Sequence, residues 1–338
     1  MSEERNNLLK KPLRRDDYPN TTNSVHKLGL SNPYLHASTA KNTRQAYRAD
    51  IRHYEQSGMV LPATPEDIVN YLQLFATQLN PRTLSRRLTA LKHWHTYQGF
   101  DDPTLHPGVR KTLKGIMNTH GKPKDKAPPL LPEQLSQIVA YLQQEDTLAA
   151  WRDNALLQLG YFGAFRRSEL VAIQYEHIER HKEGITLLVP RSKTDQSGSG
   201  QHCAVPYGNN RLCPIRALDI WLGRAKIVQG PIFRQIDRWG TLGEKALTPL
   251  ALTQIIKRCA QACQLPNPQA FSSHSLRRGL ATSASHRGAS LKAIMRQGRW
   301  QHVGTVLGYI EEGQRFDDNA AAAILQDTES QTSIENEK

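Results

Sequence analysis

No stretch of this 338-residue chain approaches the roughly 20 consecutive apolar residues that cross a bilayer. Its opening, MSEERNNLLKKPLRR, lacks the apolar core of an export signal. A membrane span and a secretory route are therefore set aside, and a soluble, cytoplasmic protein is expected. Cysteine is scarce too: Cys203, Cys213, Cys259 and Cys263 show no paired C-x-x-C spacing, so they read as free thiols. His202, Cys203 and Cys213 lack zinc-finger spacing, which argues against a metal site there. Negative charge is the remaining deficit. Against 44 Lys and Arg stand 31 Asp and Glu, a net charge of +13, which divides as +9 over residues 1–130, +10 over 131–310 and −6 over 311–338. Two basic regions followed by an acidic tail point to a polyanionic partner such as nucleic acid.

The pattern along the chain is mainly α. Residues 1–35 are polar and without apolar periodicity, as in a mobile arm. From Ser38 to Met117 the spacing predicts an all-helical bundle. Its first helix has Ser38 or Thr39 as cap and an apolar stripe of Ala46, Tyr47, Ile51 and Tyr54; Gly58 ends it. Three more helices follow at TPEDIVNYLQLFATQL, NPRTLSRRLTALKHWHTYQG and HPGVRKTLKGIMN, each opened by a cap residue or an early proline. Prolines and charges in THGKPKDKAPPLLPEQL break the periodicity and predict an exposed linker at 121–131. A second, mostly helical domain over 132–312 should contain one hairpin, with strands near 185–190 and 201–206.

Basic residues line two helices of the first domain. Lys41, Arg44, Arg48 and Arg52 share a face of one, while Arg82, Arg86, Arg87 and Lys92 cluster on another. No interleaved Glu balances either stripe, so both are candidate contacts to DNA phosphates and grooves.

The second domain raises a sharper question at YFGAFRRSEL, an apolar run ending in two arginines, a serine and a glutamate. Guanidinium groups at the end of an interior-like segment need partners. Downstream, His274 and Arg277 lie three apart near a helix start capped by Ser272 or Ser273, and Trp300 and Tyr309 follow. Arg, Lys, His, Trp and Tyr without a carboxylate pair or a metal-ligand cluster suit phosphoryl transfer in which cations and preorganised donors stabilise the developing charge. A tyrosine side chain can supply the nucleophile. Periodicity alone, with Val303, Val306, Leu307 and Ile310 as neighbours, would make Tyr309 a core aromatic.

GAFRRSEL, the lysine of RSKTD, HSLRRG, GRW and GYI, in this order and separation, resemble the tyrosine recombinase family of lambda-integrase type, and within it most closely Cre. The resemblance spans nearly the whole chain. It implies a core-binding, SAM-like helical domain and a catalytic domain with a small antiparallel sheet, closing as a C-shaped clamp on DNA. It also implies a site-specific recombinase that cleaves and rejoins strands through a 3′-phosphotyrosyl intermediate and a Holliday junction, with no cofactor, metal or ATP. Arg166 and Arg277 would clamp the scissile phosphate, Glu169 would orient the clamp, and Arg167 would be a bystander. Lys193 would act as general acid, His274 would assist proton transfer, Trp300 would donate its indole N–H, and Tyr309 would be the nucleophile. Trp300 and Arg278 stand where many members carry histidine. The implied partners are duplex DNA bearing an inverted repeat and a homotetramer assembled on it from weakly associated chains. A type IB topoisomerase or telomere resolvase would use the same site, and a DNA-binding protein on the same fold would do no chemistry.

After Tyr309 an acidic linker leads to a short apolar helix at 320–325, which in the resembled proteins docks into a neighbouring protomer. Deletion of residues 318–338 is expected to leave gel-shift binding to a single half-site intact while assembly and recombination fall; unchanged recombination would count against this role.

Overall fold

The computed structural model describes residues 38–123, 125–190, 200–209, 211–313 and 321, with no side-chain description at Lys41 and 311–313. The chain divides into two compact units, with the boundary between Asp125 and Lys126. Among the described residues no helix is long and apolar enough to cross a membrane.

The first unit contains α1 (Lys41–Gln56), α2 (Pro65–Phe75), α3 (Pro81–Gln98) and α4 (Pro107–His120). Local chemistry sets most of the ends. Thr64 and Asp67 form a reciprocal capping box at α2, Asn80 caps α3, and Gly99 closes α3 in a left-handed conformation with φ 79°. The start of α1 departs from expectation: Ala40 occupies its cap position and contributes no side-chain bond. Tyr54, Ile68, Tyr71, Leu84, Leu91 and Val109 form the centre of this unit's core.

The second unit opens with α5 (Pro132–Glu145) and α6 (Leu148–Phe162). Here α6 is buried on almost every side, which is why its sequence lacks a clear polar face. It stops at Gly163, turns through Ala164 at φ 44°, and restarts as the single-turn α7 (Arg167–Val171). Strands β1 (Ile178–Arg180), β2 (Gly184–Val189) and β3 (Gln201–Pro206) form one antiparallel sheet in that order, with Gly184 opposite Pro206 and Val189 opposite Gln201. Alternation along β2 and β3 made that hairpin legible. The companion strand β1 was not foreseen, nor was a second sheet of β4 (Arg234–Ile236) and β5 (Leu242–Ala246). These three are short and contain no buried residue, so they carry little apolar alternation. The remaining helices are α8 (Pro214–Ala225), α9 (Pro249–Ala262), α10 (Ser273–His286), α11 (Leu291–Gly298) and α12 (Val303–Gly313). Trp300 therefore lies between two helices and does not share one with Tyr309.

The linker also departs from expectation, because its second half is anchored. Leu130 is fully buried and its N–H donates to Ser275 O at 3.0 Å, while Arg278 donates to Ala127 O. Gly279 makes this close approach possible: a Cβ there would lie 2.0 Å from Leu130 O and 2.8 Å from the Tyr161 ring. Gly279→Ala is accordingly expected to destabilise the protein by about 2 kcal/mol through overpacking. Gly223→Ala on α8, whose Cβ would meet open space, should be neutral or slightly stabilising; urea unfolding of both variants checks the contrast.

Candidate active site

The turn from α6 to α7 exposes the last carbonyls of α6, and the segment around α11 supplies their donors. Gln297 Nε2 donates to Phe162 O at 2.8 Å and to Ala204 O on β3 at 3.0 Å. Arg299 donates to Gly163 O at 3.1 Å and to Ala164 O at 3.3 Å, and Arg277 also donates to Ala164 O. Cations at the end of a helix complement its partial negative charge, so these side chains cap α6 from outside its own sequence.

Glu169, 4% exposed, is the carboxylate at the centre. Its Oε1 accepts from Arg166 Nη1 at 2.6 Å, and its Oε2 accepts from the Arg166 backbone N–H at 2.9 Å and from Arg299 Nη2 at 3.3 Å. Burial alone would raise its pKa, but the bonds from Arg166 and the charge of Arg299 prevail and hold it below the ordinary 4.5. Arg167 is exposed, outside this cluster.

Arg277 enters from α10 and is itself buried. Its two terminal nitrogens donate to Ala164 O and, at 2.9 Å, to Gly298 O, using two of the five donors that a guanidinium carries. Its centre lies 4.6 Å from the Trp300 ring. Burial first, then the nearby Arg166 and Arg299, push its pKa down to about 10, opposed by Glu169 and Tyr309. Arg277 thus stays charged at neutral pH. Trp300 fits because residue 298 is glycine: a Cβ there would lie 1.9 Å from the indole.

Tyr309 meets Trp300 edge to face, with ring centroids 6.0 Å apart. It is half-buried, packed against the small cluster of Ala164, Ala281, Ile294, Trp300 and Val306, and Thr282 Oγ1 donates to its carbonyl at 3.1 Å. The Arg278 guanidinium lies 5.4 Å from its ring. Core periodicity was therefore a poor guide here, since Val303 and Leu307 on the same helix are exposed. His274 sits at the exposed first turn of α10, its N–H received by Ser272 Oγ at 3.2 Å. Helical spacing joins it to Arg277, yet one side chain is solvent-facing and the other is buried. Lys193 lies outside the described residues, as do 1–35 and all of the 320–325 segment but Ala321.

Thus the structure gathers Arg166, Glu169 and Arg277 with Trp300 and Tyr309. Sequence reading missed Arg299, although it is the middle letter of GRW. A lone arginine between two motif residues shows no period, and only its 7% exposure reveals it as interior.

All four cysteines are buried and free, and among the described residues no cluster of metal-ligating side chains assembles. Cys203 Sγ donates to Gly163 O at 3.5 Å, and Cys213 Sγ accepts from Gly208 N at 3.3 Å.

In the first unit Arg48, Arg52 and Arg82 are exposed and Arg44 is half-buried. Arg87 is a correction to the expected stripe: it is 9% exposed, donates to Tyr71 Oη at 2.7 Å and to the His53 ring, and lies 3.6 Å from Asp50. Asp50 also pairs with Arg86 at 2.9 Å, so a buried aspartate from α1 balances the α3 cations that sequence alone left unbalanced. Lys92, exposed, lies 3.6 Å from Asp102. Arg82 Nη1 donates to Lys122 O at 2.9 Å.

Cations ordered around a fixed carboxylate, beside a half-buried tyrosine, suit transfer of a phosphoryl group of a polyanion. Residues 128–315 match the phage integrase family. The integrase/recombinase xerD homolog of Selenomonas ruminantium is 39% identical over 295 residues, covering 85% of this chain and 86% of that protein. The tyrosine recombinase XerC of Staphylococcus aureus (strain MSSA476) is 24% identical over 281 residues, covering 80% and 86%. Among solved structures, the XerH site-specific recombinase bound to palindromic difH substrate, a post-cleavage complex, superposes with a TM-score of 0.57 at 16% identity, covering 88% of this chain and 80% of that one. The chain belongs to the phage integrase family of tyrosine recombinases. Its activity is site-specific breakage and rejoining of DNA strands.

Glu169→Gln is expected to leave buried guanidinium groups poorly compensated and to cost about 3 kcal/mol at pH 7, measured by urea unfolding. Because the folded-state pKa of Glu169 is depressed, its stabilisation is complete above the ordinary 4.5 and is lost as pH falls through the folded value. The gap between wild type and variant should therefore narrow below pH 4.5; a constant gap would contradict this.

Proposed function

We propose that Tyr309 is the nucleophile of this recombinase and that Arg166 and Arg277 hold the scissile phosphate. The observation that carries the reading is a connected set of contacts: Glu169 holds Arg166 and Arg299, Arg299 and Arg277 share Ala164 O, Arg277 lies 4.6 Å from the Trp300 ring, and Trp300 meets Tyr309 edge to face. In the proposed reaction Tyr309 Oη attacks phosphorus as its phenol proton passes to His274, and the bond to the 5′-oxygen breaks. The phosphate stays on the enzyme as a 3′-phosphotyrosyl ester, and the leaving oxygen takes a proton and departs as a 5′-hydroxyl. Two guanidinium groups compensate the extra negative charge of the pentacoordinate transition state. Lys193 supplies the proton to the leaving oxygen, and His274, at the solvent edge of α10, assists proton transfer. Trp300 donates its indole N–H, and Glu169 orients Arg166 without reacting. Attack by another strand's 5′-hydroxyl reverses the step, so rejoining needs no ATP, and paired exchanges pass through a Holliday junction.

The DNA-facing residues of the first unit, in this reading, are Lys41, Arg44, Arg48, Arg52 and Arg82, with Arg86 and Lys92 at the edge. Arg87 is withdrawn from that set. A target with inverted repeats, one chain per arm and four on the assembled complex, follows from the same reading. Trp300 stands where many members of the family carry histidine. It removes a titratable group and leaves proton transfer to Lys193 and His274.

The test is covalent capture. Pure protein with EDTA is mixed with nicked duplexes from its host genome and denatured, and DNA still attached to protein is recovered. Attached DNA is expected with wild type and none with Tyr309→Phe, while native binding to the recovered site persists in both. Adduct formation by Tyr309→Phe would overturn the assignment.

A further inference from the structure

We infer that Arg299 is a positioning residue for strand cleavage, fixing the Glu169 carboxylate and the end of α6 so that Arg166 and Arg277 are held at a set separation. The inference rests on the proposed roles of that pair.

Two features of Arg299 are unfavourable taken singly. Its backbone is left-handed, φ 55°, where a Cβ is disfavoured and glycine is the ordinary choice. Its guanidinium is buried, which is costly for a charge without partners. Both are explained by where the left-handed turn sends the side chain. Nη1 donates to Gly163 O at 3.1 Å and Gln297 O at 3.0 Å. Nη2 reaches Gly163 O at 3.1 Å, Ala164 O at 3.3 Å and Glu169 Oε2 at 3.3 Å. The guanidinium carbon lies over Phe165, 4.7 Å from the ring centre. A turn that needed only to change direction would be better served by glycine.

These contacts place Arg299 between the two clamp arginines. It shares the Ala164 carbonyl with Arg277 and the Glu169 carboxylate with Arg166. Loss of its guanidinium would leave Ala164 O to Arg277 alone and Glu169 held only by Arg166, through Nη1 and the backbone N–H, so the carboxylate and Arg166 would no longer be tied to the end of α6 that anchors Arg277. Arg299 also has an electrostatic part. The charged groups facing Glu169 are Arg166 at the head of α7, Arg277 from α10 and Arg299 itself, with the Cys203 thiol on β3 nearby. Three guanidinium groups against one carboxylate leave the pocket with excess positive charge, suited to a phosphodiester that gains negative charge on attack.

Arg299→Gly relieves the backbone and removes the cation; Arg299→Lys keeps a cation but loses the planar fork. Half-site binding, the urea midpoint and the rate of covalent adduct formation from pH 3.5 to 8 would be measured for both and for wild type. Arg299→Gly is expected to bind the half-site as wild type does and to form adduct ~100-fold more slowly, the size of effect that a misplaced group produces. The acid limb of its rate profile should move to higher pH, because Glu169 has lost a neighbour that favours its charged form. Arg299→Lys should recover part of the rate and keep the wild-type acid limb. Adduct formation by Arg299→Gly at the wild-type rate, or a loss that merely tracks the folded fraction with the acid limb unmoved in both variants, overturns the inference. In those cases the nucleophile assignment stands; failure of wild type to form any adduct removes both.

Discussion

A single buried carboxylate organises the catalytic unit. Glu169 lets guanidinium groups from separate segments be packed into an interior that would otherwise disfavour them. Its two oxygens meet Arg166 and Arg299, and its charge is felt by Arg277. The carbonyls of Phe162, Gly163 and Ala164 complete the compensation. The end of α6, the single-turn α7, the start of α10 and the bend before Trp300 are thus mutually dependent. Displacing any one leaves a charge or a carbonyl unsatisfied.

From that centre the site runs outward in steps of decreasing burial. Glu169, Arg277 and Arg299 are interior, Arg166 and Tyr309 are half-buried, and His274 is exposed. Charge pairing is strongest where water is excluded, so the inner groups hold position while the outer ones remain open to solvent. Trp300 joins the two zones: one aromatic neighbour and one cation touch its indole, and the glycine at 298 gives it room. The anchored linker adds a further connection, since Arg278 binds Ala127 O and approaches the Tyr309 ring.

Much of the helical framework was legible because its signals are local. Thr64, Asn80 and Thr248 sit at caps, the early prolines open helices, and the β2–β3 hairpin shows the two-residue alternation of paired strands. Misses occurred where local signals are weak or misleading. The strands β1, β4 and β5 are short and contain no buried residue. Arg87 looked like part of a solvated stripe because its acidic partner, Asp50, belongs to another helix. The linker looked free because its anchors, Ser275, Arg278 and Gly279, lie about 150 residues downstream.

The order and spacing of GAFRRSEL, RSKTD, HSLRRG, GRW and GYI, which belong to the chain itself, determined the family and nominated Arg166, Glu169, Lys193, His274, Arg277, Trp300 and Tyr309. Tertiary structure alone decided which arginines are interior. It turned Arg167 outward and Arg299 inward, although both are basic residues beside apolar neighbours. A guanidinium can be buried only where acceptors from distant segments converge on it, and that convergence is a property of the folded chain, not of the residue's immediate sequence.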